Sequence, residues 1–133
     1  MNGREMRKQF GQLAGLAHDR ELGLYLSELE ERFRDWREGR LGPSELSDFI
    51  HEFHDGWARE VFKTYTLLKR DQVVARAIGI GLLKESEVAE AIQHSLAGLI
   101  AHYRDNYQID KNDPLSRLRD QAISMDAAND SQE

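Results

Sequence analysis

The sequence predicts an all-α protein, a helical bundle of four main helices with one or two short ones. Three observations predict it. Apolar residues recur at steps of three and four along most of the chain, the spacing of one helical face. Leu, Ala, Glu and Arg dominate while proline occurs only twice, so helix is the favoured local state. No stretch shows the strict apolar–polar alternation of a half-buried strand. At 133 residues with 40% hydrophobic content the chain can bury one core without metal or crosslinks.

In order along the chain, Met6, Phe10, Leu13 and Ala17 predict a first helix over 4–17, weakened by Gly11 and Gly15. From Leu22 the apolar series changes phase to Leu22, Leu26, Leu29, Phe33 and Trp36, spaced 4-3-4-3 like a coiled-coil seam. Asp19 can cap this second helix, so a break is expected near His18-Asp19. Glu28 and Glu30 stand four residues before Arg32 and Arg34, the favourable order for helical ion pairs.

The densest helical signal spans 43–68, with Leu46, Phe49, Ile50, Phe53, Trp57, Val61, Tyr65 and Leu68 on one wide face. Gly42 at the N-cap, Pro43 at the first helical position and Glu45 in the first turn mark its start. So much apolar surface predicts a helix covered from several sides, hence the central one. Asp71 then caps a short helix ended by Gly79 and Gly81, after which Leu82 and Leu83 plug the core. Ser86 opens a helix with Val88, Ile92, Leu96, Leu99, Ile100, Tyr103 and Tyr107 on its face. The helical domain is expected to run from 1 to 109. A polar segment follows over 110–133, with a short helix possible over 114–125 from Asp113-Pro114 and a loose acidic end.

Charge and composition limit the functions. A net charge of -6 argues against nucleic-acid binding, which needs Lys and Arg to neutralise phosphates. The longest apolar run, 77–83, is too short to cross a bilayer, and the first twelve residues lack the apolar core of a secretory signal. With no cysteine, thiolate catalysis and disulfides are excluded, and a cytoplasmic location is the expectation.

Two function classes remain. The seam of Leu22 to Trp36 is narrower than the face of an ordinary core helix, which favours helix–helix contact, within the chain or across a dimer. Leu26, Phe33 and Trp36 are the expected interface residues, with Trp57 a further aromatic anchor. Self-association or a protein partner follows, with no cofactor. The other class starts from His51, His54 and Asp55. The two histidines are i, i+3 neighbours on a helix, flanked by carboxylates, and could share a divalent metal ion.

His54-Asp55 also resembles the His-Asp dyad of HD-domain metal phosphohydrolases. The resemblance implies an upstream ligand at His18 or His51, a downstream one at Asp105 or Asp110, and metal-activated water attacking a phosphate. Gly56-Trp57 departs from the aliphatic residue and Gly-Lys pair expected after that dyad. Size and helix count are similar to histidine phosphotransfer modules, but neither His51 nor His54 is followed by their Lys and Gly. The Arg-to-His spacing of HEPN-type ribonucleases is absent, as are a phosphate-binding Gly-rich loop, G-x-S-x-G and H-E-x-x-H.

Overall fold

Eight consecutive buried residues, Val73 to Ile80, make one short helix the centre of the molecule. The computed structural model describes residues 1–118 and 120. Its elements are α1 (Gly3–Arg37), α2 (Pro43–Phe53), a π turn (His54–Ala58), α3 (Arg59–Leu67), α4 (Arg70–Ile80), a 3₁₀ turn (Glu85–Glu87), α5 (Glu90–Ser95) and α6 (Ala97–Asn106). Residues 114–118 are also helical, and no strand occurs among the described residues. The all-α bundle is therefore as the composition and periodicity require. The rest of the possible 114–125 helix, save residue 120, and the acidic end lie outside the described residues.

The expected break near His18-Asp19 does not occur: α1 is one helix of 35 residues, about 52 Å long at 1.5 Å per residue. Asn2 caps it, its side-chain oxygen accepting from the Glu5 N–H at 2.8 Å. The phase shift in the sequence marks a change of neighbour. Leu13, Ala17 and Glu21 are buried in the half of the helix that meets α4, and no α1 residue after Tyr25 is buried.

The 43–68 segment starts as expected, with Gly42 at the N-cap and Pro43 next, but it is not the central helix. Only Leu46 and Val61 are buried along it, Phe49, Phe53 and Trp57 are half-buried, and Ile50 is exposed. The polar residues around α4, not the size of the apolar stripe, hid this order. Arg76, in the middle of α4, is only 3% exposed because Glu21 neutralises it. Phe53, Trp57, Val61 and Tyr65 are spaced by four, and in an α-helix each such step rotates the row by about 40°. The π turn, with its wider i→i+5 winding, absorbs that drift and keeps Trp57, Val61 and Tyr65 toward α1.

Gly79 does not end α4. A Cβ there would lie 2.8 Å from the Tyr103 Cβ and 3.0 Å from the α6 backbone, so glycine permits the close crossing of α4 and α6. Gly81, at φ 91°, is the left-handed residue that ends the helix. Leu82 and Leu83 are buried in the following loop, as expected. Lys69, not Asp71, occupies the N-cap of α4, and its N–H donates to the Gln72 side chain at 3.1 Å. Ser86 sits in the 3₁₀ turn rather than capping a helix, and the helix expected over 88–107 bends at Leu96 into α5 and α6. Leu115, beyond the expected domain limit at 109, belongs to the same core as α1, α4 and α6.

Candidate functional site

Two regions concentrate chemistry. One is a buried polar cluster where α1, α3, α4 and the 107–115 segment meet. Arg76 donates from both terminal nitrogens to the Glu21 carboxylate, at 2.7 and 2.9 Å. The Tyr65 hydroxyl donates to the same carboxylate at 2.8 Å. Arg76 Nε donates to the Tyr107 oxygen at 3.3 Å, and the guanidinium lies 5.2 Å from the Tyr107 ring centre. The Tyr25 hydroxyl donates to Asp113 at 2.9 Å, and Asp113 also accepts from the Leu115 N–H as the 114–118 helix begins.

A cavity of about 190 Å³ opens beside this cluster, walled by Tyr25, Val61, Thr64 and Tyr107 and edged by Glu60 and Asp110. It has room for about six waters at their liquid volume. Burial and the neighbouring carboxylates of Asp113 and Glu21 push the Tyr25 and Tyr65 hydroxyls well above their ordinary value of 10. Burial works against the charge on Arg76, yet the two bonds it donates to the Glu21 carboxylate outweigh that and the guanidinium is held more firmly protonated than usual. Among the described residues every buried side-chain polar atom has a hydrogen-bond partner. The cluster therefore fixes the mutual orientation of four segments. Its hydrogen-bonded side-chain partners lie 31 to 88 residues apart in sequence, beyond the reach of any local spacing rule.

The second region is the arm built from the end of α1 and from α2. Tyr65 meets Glu21 while Trp57 stacks on Tyr25 at 4.8 Å, so the two helices run antiparallel. Between Leu26 and Glu60 only Leu46 is buried. Of the expected interface residues Leu26 is 47% exposed, Phe33 39% and Trp36 38%. In an antiparallel pair, one residue past the contact line on each helix turns to the same side. Leu26 follows Tyr25 and Ala58 follows Trp57, so they flank a common face, which Phe33, Ile50 and Phe62 extend at helical spacing.

The expected metal ligands His51, His54 and Asp55 are all exposed on α2 and the π turn. His18 lies away from them, edge-on to Tyr65 at 5.1 Å and bonded to Asp19 at 3.1 Å. Asp110 edges the cavity and Asp105 is exposed at the end of α6. Among the described residues no three His, Asp or Glu side chains are grouped so that they could hold a metal ion. No described helix is long and apolar enough to cross a membrane.

Comparison with protein-family models, with curated proteins and with solved structures found no match for this chain.

Proposed function

We propose that this protein acts through protein–protein contact and associates with a second copy of itself through the α1–α2 arm, without catalysis. One observation carries the reading: a helical hairpin about 25 residues long, beyond Tyr25, exposes Leu26, Phe33, Trp36 and Ile50 and buries only Leu46. Two helices alone cannot cover both their apolar faces, and exposed apolar surface rimmed by charge is characteristic of contact sites. Packing two such hairpins gives a four-helix arrangement that encloses a core between them.

Sedimentation velocity over a wide concentration range tests this. The wild type is expected to sediment as a dimer, and Phe33→Glu as a monomer with unchanged helical circular dichroism. A wild type that stays monomeric at high concentration overturns the reading. Elemental analysis guards the rival: stoichiometric Mn, Fe, Ni or Zn that disappears in His54→Ala would assign the chain to metal chemistry instead.

A further inference from the structure

The cavity beside the buried polar cluster carries an inference that is independent of the arm and of self-association. Four carboxylates and one guanidinium line it, a formal balance of -3. Glu21 comes from α1, Glu60 from α3, Asp110 and Asp113 from the segment after α6, and Arg76 from α4. Arg76 is 3% exposed and committed, with both terminal nitrogens bonded to Glu21 and Nε to Tyr107. The charge left over belongs to Glu60, Asp110 and Asp113. Glu60 has a loose pair at 3.6 Å with the exposed Lys63. Neither aspartate forms an ion pair among the described residues; the partners of Asp113 are the neutral Tyr25 hydroxyl and Leu115 N–H, and that of Asp110 is the Asn112 N–H.

Negative charge concentrated in a concave, partly apolar site draws a cation from solution. The geometry selects its kind. A bare metal ion needs several oxygens within bonding distance of one point, and among the described residues no three His, Asp or Glu side chains come together in that way. The carboxylates are instead spread around the cavity, so the cation must be long enough to reach more than one of them. The volume of about 190 Å³, some six waters, limits it to about six non-hydrogen atoms. Tyr25, Val61, Tyr107 and Leu115 form the wall between the carboxylates, a surface fit for a short methylene chain and, at the rings, for an ammonium group. This wall already holds one cation by the same chemistry: the Arg76 guanidinium lies 5.2 Å from the Tyr107 ring centre and is bonded to a carboxylate. The rise in the Tyr25 hydroxyl, from burial and then from Asp113 and Glu21, agrees with a negative potential there.

We infer that this cavity binds a short aliphatic diamine, its ammonium groups met by Glu60, Asp110 and Asp113 and its chain lying against Tyr25, Val61 and Tyr107.

Titration of the full chain with 1,4-diaminobutane at low ionic strength, followed by calorimetry and amide NMR spectra, tests it. Saturable binding is expected, with shifts centred on Tyr25, Thr64 and Tyr107. Glu60→Gln and Asp110→Asn stand at exposed positions and keep the fold. Each is expected to weaken binding about two- to fivefold, and the pair together about tenfold. Asp48→Asn and Glu52→Gln, exposed on α2 away from the cavity, should leave it unchanged. Uncharged 1,4-butanediol, of the same length, is expected not to bind. Shifts that never saturate, or that spread over the acidic surface, overturn the inference, as do variants at Glu60 and Asp110 that bind as tightly as wild type. Magnesium chloride that reproduces the same shifts at the same concentration overturns it as well, since a simple ion then suffices.

Discussion

At the scale of single residues, the pair Glu21–Arg76 decides most. Both side chains are 3% exposed, and their ion pair at 2.7 Å joins α1 to α4. Desolvating two charges costs several kcal/mol, and only the bidentate geometry with the added Tyr65 and Tyr107 bonds offsets it. Arg76→Ala strands the Glu21 carboxylate, and denaturant melts are expected to show a loss of about 3–5 kcal/mol. The double variant Glu21→Leu with Arg76→Met should recover much of that, since no buried charge remains. Glu87, outside the core, offers a pH signature. Two bonds from Arg20 and one from the Lys84 N–H hold its carboxyl at about 2, below its ordinary 4.5. The folded state thus binds the proton less readily than the unfolded one. That stabilising contribution is complete above about pH 4.5 and fades as pH falls toward 2. Melts from pH 6 to 2 are expected to show a shallower decline for Glu87→Gln than for wild type, by a modest amount because the pair is partly exposed.

Helices show where residue-level rules stop. Glu30 pairs with Arg34 at 3.6 Å as the spacing predicts, whereas Glu28 turns from Arg32 to Arg117 at 2.6 Å, and Arg32 takes Asp35. Spacing names eligible partners, and a competing segment from elsewhere can take one away. Gly79 teaches the same point in reverse. Its sequence context reads as a helix stop, yet its role is set by α6 crossing at contact distance. Gly79→Ala is expected to cost about 1–3 kcal/mol in thermal or denaturant melts, because Tyr103 and the α6 backbone must move. A gain in stability, as glycine removal from an ordinary helix would give, would show that α6 yields without strain.

Over the whole molecule, the core and the arm divide the chain's apolar residues unequally. The core around α4 is closed by α1, α6, Leu82, Leu83 and Leu115, while the larger aromatics Phe33, Trp36 and Phe62 remain at the surface. Ile50, on the wide apolar face of 43–68 that the spacing alone reads as central, is 38% exposed and cannot carry the several kcal/mol that a fully buried isoleucine would. The same aromatics are what a second copy would cover.

Helical periodicity, capping residues and composition are local properties, so the sequence by itself determined the all-α class, the start at Gly42-Pro43, the buried Leu82-Leu83 loop and the apolar seam of α1. Which helix lies at the centre was decided only by tertiary structure. Its charge is neutralised by Glu21, 55 residues away, and its glycine is filled by a neighbour's backbone. Neither partner is written near it in the chain, because burial is a property of what surrounds a residue and not of the residue itself.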